Sequence, residues 1–131
     1  MLAAAAAEPE VRRRLPSGWS LTLRISGDRA LRRLNRDFLQ EDHATDVLSF
    51  PSGESPYLGD VVVSWPAVLR QASEFGHPAS AELALLSVHG LLHLLGWDHA
   101  EPVDEAEMNR LTLAGLRRSG VGLAADRLFT H

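Results

Sequence analysis

In this 131-residue chain the residues whose types and spacing best support chemistry are His89-Gly90-Leu91-Leu92-His93-Leu94-Leu95-Gly96-Trp97-Asp98-His99. Positions four apart on a helix lie about 40° apart around the axis and about 6 Å along it, so His89 and His93 can both address one ion. Gly96 tolerates the left-handed backbone that ends a helix, and a reversal there brings His99 back toward the same point. Three neutral imidazoles with a fourth position open form the arrangement of a catalytic rather than a structural zinc site. A lone histidine on an apolar helix is usually a core residue with a satisfied hydrogen bond. Here three lie among Leu91, Leu92, Leu94 and Leu95, which offer no polar partner, and a shared cation solves that problem for all of them. With no cysteine in the chain, a metal must use His, Asp or Glu. The sequence therefore predicts metal ligands at His89, His93 and His99 and one bound zinc ion, while imidazole also suits nickel, iron and other transition metals.

The spacing H-x3-H-x5-H, with glycine three residues after the second histidine, also matches the metzincin protease pattern, except that Gly90 stands where those enzymes carry glutamate. That glutamate takes a proton from the zinc-bound water, and glycine cannot, so peptide hydrolysis is disfavoured. A zinc peptidase would need another carboxylate near the metal. Gly90 also costs about 1 kcal/mol in a helix interior. Its presence predicts that a strand or a substrate approaches the helix backbone closely there.

The elements that must position this segment are readable in outline. Hydrophobic residues make up 45% and charged residues 23% of the chain, the balance of a globular protein, and the length suits a single domain over residues 1–131. No apolar run approaches the length of a membrane span, and the alanine-rich start lacks the pattern of a signal peptide, so a cytoplasmic protein without membrane contact is expected. That start opens a short helix to about Arg14, interrupted near Pro9. Residues 19–26 (WSLTLRIS) alternate as a half-buried strand with Trp19, Leu21, Leu23 and Ile25 inward. Asp28 caps a helix from about Arg29 to Gln40, with Leu31, Leu34, Phe38 and Leu39 on one face and Arg29, Arg32, Arg33 and Arg36 largely on others. Val47–Phe50 is a short strand stopped by Pro51, and residues 52–56 read as an exposed loop. Residues 60–64 (DVVVS) are apolar enough to be covered on both faces, hence central. A helix over Trp65–Phe75 ends at Gly76, and Pro78 opens the next, apolar nearly all round and running to Gly96. Asp104–Ser119 is a last amphipathic helix with Met108, Leu111 and Leu116 inward. The fold class is α+β, with a small mixed sheet of three to four strands, about five helices and the buried metal-bearing helix at the centre.

Charge is unevenly spread. Residues 1–40 hold eight arginines against four acids, and residues 41–131 hold five against 13, so a net charge of −4 conceals a basic third suited to a polyanion. All 13 basic residues are arginine.

The segment Leu83–His99 resembles the zinc-site signature of the YbeY family of bacterial endoribonucleases. Other segments agree in order: Leu34-Asn35, then Thr45-Asp46-Val47-Leu48-Ser49-Phe50-Pro51, then Leu58-Gly59-Asp60-Val61-Val62-Val63-Ser64, then Gln71-Ala72 with Phe75-Gly76-His77. The resemblance covers roughly residues 20–112. It implies a fold like that of metal-dependent hydrolases, a metal at His89, His93 and His99, and a groove between the basic region and the metal. It also implies single-stranded RNA as substrate, with ribosomal RNA and the small ribosomal subunit as partners in ribosome maturation and quality control. The family usually carries an arginine directly after the aromatic residue that follows the Leu-Asn pair; here Phe38 is followed by Leu39. Either Arg36, one turn earlier, takes its place at phosphate, or the protein cleaves poorly. The alanine-rich start replaces the family's first strand and leaves the sheet one strand smaller.

A metal held this way lowers the pKa of its water to about 7 and polarises a phosphoryl oxygen, both of which suit phosphodiester hydrolysis. The motif fixes no carboxylate beside that water, so the proton acceptor stays open among Asp98, Asp46, His43 and the phosphate, with Asp98 better suited to orienting a histidine. The catalytic candidates are Arg36, Asp46, Ser49 and Asp98, while Ser49 and Asp60 also read as a strand-end hydrogen bond and a turn cap. Arg29, Arg32, Arg33 and Arg36 are the candidate phosphate contacts. The leading expectation is a metal-dependent, single-strand-specific endoribonuclease, and the alternative is a non-catalytic ribosome-assembly factor with a structural zinc.

Overall fold

A computed structural model describes residues 6–39, 45–97 and 102–118. The elements run α1 (Pro9–Arg12), β1 (Ser20–Ser26), α2 (Asp28–Leu39), β2 (Val47–Glu54), β3 (Tyr57–Ser64), α3 (Trp65–Phe75), α4 (Ala79–Leu94) and α5 (Pro102–Arg118). The sheet order is β1-β3-β2, with β1 parallel and β2 antiparallel to β3. This is the expected α+β class with a small mixed sheet. No helix among the described residues is long and apolar enough to cross a membrane.

The central position of β3 explains its composition. Val61 and Val63 face α4 and join the main core with Leu85, Leu91 and Leu92, whereas Val62 faces the other way and packs with Leu31 of α2 and Leu48 of β2. Alternate side chains on a strand point to opposite faces, so a strand clad on both sides needs an unbroken apolar run. All three valines are buried.

Three local expectations are corrected. β2 continues through Pro51 to Glu54, and the turn shrinks to Ser55-Pro56 before β3 begins at Tyr57. Proline tolerates this because β2 is an edge strand, where a missing N–H need not break the ladder. Ile25 is 53% exposed although it alternates with Leu21 and Leu23, because β1 is the other edge and its end lies beyond the cover of the core. Phe38 is 67% exposed at the end of α2, where it sits edge-on to Phe50 with ring centroids 5.7 Å apart. Leu31 and Asn35, one turn apart, are the buried positions of that helix among the described residues.

Asp28 belongs to α2 itself, and its carboxylate accepts hydrogen bonds from Ser64 and, at 2.9 Å, from Arg70. The Arg70 guanidinium, seconded by the Ser64 hydroxyl, holds the Asp28 carboxyl below its ordinary pKa. Ser64 also caps α3 by accepting from the Ala67 N–H at 3.2 Å. The starts of α2 and α3 are thereby tied to the end of β3.

α4 is held from three directions. Its Gly90 meets β3 so closely that an added Cβ would lie 2.3 Å from Cγ1 of Val61. Ser49 of β2 donates to the Gly90 carbonyl at 3.1 Å. At the entry turn His77 Nε2 bonds Glu82 Oε1 at 2.7 Å, with side chains only 5% and 0% exposed. The close approach anticipated at Gly90 is therefore made by a strand. Behind α4, Met108, Leu111 and Leu116 of α5 are buried as expected.

Gly90→Ala should cost about 1–3 kcal/mol by overpacking, measured by urea unfolding. Val61→Ala in the Gly90→Ala background should recover part of that loss although Val61→Ala alone destabilises; simple addition of the two losses would remove this contact from the account. His77→Ala deprives a fully buried Glu82 of its 2.7 Å bond and should cost about 3–5 kcal/mol. Glu82→Gln, which keeps an acceptor oxygen of the same shape, should cost clearly less, and equal losses would show that packing rather than the polar contact secures the turn.

Candidate metal centre

α4 is a 16-residue helix carrying one charged side chain, Glu82, and its buried positions run on almost every face from Ala81 to Leu92. A helix apolar all round is a core helix, and polar side chains on it need a specific reason. His89 and His93 are two of them. Both lie on one side of α4, His89 only 4% exposed and His93 half-buried. The Nε2 atom of His89 is sealed from solvent and makes no hydrogen bond, while the residue has other interactions.

The end of α4 has the hydrogen bonds of a Schellman motif. Gly96 N–H donates to the His93 carbonyl at 3.0 Å and Trp97 N–H to the Leu92 carbonyl at 3.1 Å. Gly96 adopts φ 102°, where side-chain-bearing residues are strained, so glycine is what lets the chain turn immediately after the second histidine. The left-handed helix end expected at Gly96 is thus present. His99 and Asp98, like His43, lie outside the described residues. Among the described residues no group of three His, Asp or Glu side chains is placed to hold a metal.

The histidines fit a borderline-soft divalent ion: two neutral-nitrogen donors one turn apart on a rigid, packed helix, one of them with a ring nitrogen in a dry site.

The remaining candidates are placed as follows. Ser49 directs its hydroxyl onto the Gly90 carbonyl, next to His89, so it braces the histidine helix. Asp46 stands just before β2, accepting from Gln71 Nε2 at 3.3 Å, while its carbonyl takes the Ser64 N–H at 2.8 Å. Asp60 lies within β3 and accepts from Tyr57, whose hydroxyl also reaches Thr22; it is part of the strand, and the turn-cap reading does not hold. The Asp60 carboxylate pushes the Tyr57 phenol above its usual pKa. Arg36 is exposed and pairs with Asp37 at 3.2 Å. Arg29, Arg32 and Arg33 are exposed along α2, as a basic face requires.

Two features escaped the reading of the sequence. One is the His77–Glu82 pair, for which the signal was a single glutamate in an otherwise uncharged helix five residues after a histidine. The other is Arg14, whose guanidinium lies 3.6 Å from the centroid of the Trp97 ring and donates to the Leu95 carbonyl at 3.1 Å. Its partners are 81 and 83 residues away in sequence, and no local pattern connects them.

With the fold and site described, the chain can be set beside known proteins. A family profile described as Endoribonuclease YbeY matches residues 2–120. A Myxococcus xanthus protein named Endoribonuclease YbeY is 47% identical over 121 residues, covering 86% of this chain and 40% of that protein. Its namesake from Chloroflexus aggregans is 46% identical over 121 residues, covering 79% of each. A Gloeobacter violaceus relative of the same name is 54% identical over 116 residues, covering 81% of this chain and 59% of that one. The chain thus spans from two fifths to four fifths of the length of these relatives. The solution structure of TM1509 from Thermotoga maritima shares the fold, with a TM-score of 0.55 at 24% identity, covering 83% of this chain and 75% of that one. Matched along nearly its whole length and with the histidine helix in place, the chain belongs to the YbeY family.

Proposed function

We propose that this protein is a metal-dependent endoribonuclease that cuts single-stranded RNA in the maturation of ribosomal RNA, acting in the cytoplasm on or near the small ribosomal subunit. The observation that carries this reading is the pair of imidazoles on a buried helix that ends in a glycine turn three residues after the second, in a chain of this family. His89, His93 and His99 are the proposed ligands and zinc the proposed ion. When bound, such an ion supplies Lewis acidity toward a phosphoryl oxygen and makes a coordinated water more acidic.

The chain's own residues do the rest. Ser49, Val61 and the His77–Glu82 pair fix α4, so that the imidazoles need no reorganisation when they meet the ion. Arg29, Arg32, Arg33 and Arg36 on the exposed side of α2 supply attraction for a polyanion despite the negative net charge. Position 90 on the histidine helix is a glycine pressed against Val61, so the proton acceptor comes from elsewhere, with Asp46, Asp98, His43 and the phosphate itself as the groups in question. Leu39 stands where the family resemblance implies a phosphate-binding arginine, and Arg36 is the nearest cation on the same helix. We assign Arg36 the substitute role, at reduced efficiency.

His93→Ala should lose bound zinc in elemental analysis together with cleavage of a single-stranded RNA, and chelation of the wild type should do the same reversibly. Cleavage that survives in metal-free His93→Ala protein sinks the proposal. Leu39→Arg should raise cleavage about tenfold or more, the scale of one well-placed cation at a developing phosphoryl charge. No cleavage by either protein on an RNA that both bind would instead support the assembly-factor reading.

A further inference from the structure

The turn after α4 is gripped from outside by a residue of the N-terminal segment. Arg14 Nη1 donates to the Leu95 carbonyl at 3.1 Å, and the same guanidinium lies 3.6 Å from the centroid of Trp97. A Cβ at Gly96 would be 3.5 Å from Arg14 Nη1, so all three residues of the turn face this one side chain. Arg14 is itself anchored: its N–H donates to the carbonyl of Val11, and Val11 is 1% exposed within the main core. Trp97, on the other side of the contact, is 3% exposed.

The chemistry of the grip is specific. The Leu95 carbonyl is one of those left over at a helix C-terminus, where the aligned peptide dipoles favour a cation. A guanidinium can donate to that carbonyl in its own plane while its face stacks on an indole, and a lysine ammonium cannot do both. The gripped residues, Leu95-Gly96-Trp97, are the last described residues before the Asp98-His99 pair. Whatever fixes them sets the direction in which the chain leaves the second histidine.

We propose that Arg14 is a positioning residue for the metal centre. It acts through the Leu95-Gly96-Trp97 turn rather than on the metal or on RNA. The inference rests on the metal-site reading above and adds to it a dependence on the N-terminal segment. Partners that orient metal ligands typically contribute 10–100-fold to metal affinity, and that is the scale expected here.

Two measurements on the full chain test this: zinc affinity by competition with a chelator, and amide hydrogen exchange of the metal-free protein at Gly96 and Trp97. Arg14→Ala should weaken zinc binding about 10–100-fold and speed exchange at those amides while leaving the amides of Val61–Val63 protected as in the wild type. Arg14→Lys, which keeps the charge but not the fork, should fall between. Wild-type zinc affinity in Arg14→Ala overturns the inference alone. So does faster exchange that extends equally to β3, because the residue would then be stabilising the fold at large. A wild type that binds no zinc overturns the metal reading and this inference with it.

Discussion

Everything about the candidate site depends on how closely α4 is pressed onto β3 at Gly90. A helix lying on a sheet can in principle rotate about its own axis, and a uniformly apolar helix has little in its pattern to choose one rotation over another. Here the choice is made by a missing side chain. Only the face bearing Gly90 can come so near Val61, and Ser49 then locks the same point by donating to the Gly90 carbonyl. At about 100° per residue, fixing Gly90 against the strand carries His89 about 100° to one side and His93 about 60° to the same side. The two imidazoles are therefore turned away from the strand together and brought within a narrow sector. The contact that sets the packing also sets the aim of the ligands.

The sheet has a second role as a partition. β3 presents Val61 and Val63 to α4, and Val62 to α2, so the histidine helix and the arginine helix lie on opposite faces of one central strand. The arginines are thereby kept off the element that must stay dry and tightly packed, while the exposed face of α2 carries its charges in water, where they cost little. Polar links gather at the C-terminal end of β3, where Asp28, Ser64 and Arg70 join α2 to α3. A core with valine in the middle and paired polar groups at its end combines tight packing with a fixed register.

How much of this could be read from the sequence follows from which interactions are local. The run of valines in β3 revealed a strand covered on both sides because a pattern of alternation, or its absence, is carried by neighbouring residues. Gly90 and Gly96 were informative for a related reason: a glycine in a helix interior and a glycine at its end each mark a backbone demand that other residues fail. β2 ran past Pro51 because the cost of a proline depends on whether the strand is at an edge, which only the sheet order decides. Phe38 and Ile25 kept their place in the apolar pattern yet are exposed, since periodicity gives the face of an element but not where its cover ends. The Arg14–Trp97 contact and the His77–Glu82 pair were invisible for opposite reasons. The first joins residues 81 or more apart, and the second joins near neighbours across a turn whose geometry the sequence does not state. His99, the third expected ligand, lies outside the described residues, so the triad rests on two placed histidines and the turn that follows them.

The same close contact bears on which chemistry the site can host. In the protease pattern that this histidine spacing otherwise matches, the residue after the first histidine is a glutamate that takes the proton from water. At position 90 such a side chain would force β3 aside, since even its first carbon would lie 2.3 Å from Cγ1 of a buried valine. The absence of the glutamate is thus built into the packing of the core and is not a single change that could be reversed without moving β3. A hydrolase made on this helix must take its proton acceptor from another element or from its substrate. Peptide hydrolysis on this helix would lack the glutamate that the protease pattern supplies. The phosphodiester proposed as substrate carries a negative charge that the exposed arginines of α2 are suited to attract, which a neutral peptide bond does not. The glycine that aims the histidines thereby also narrows the substrates they can serve.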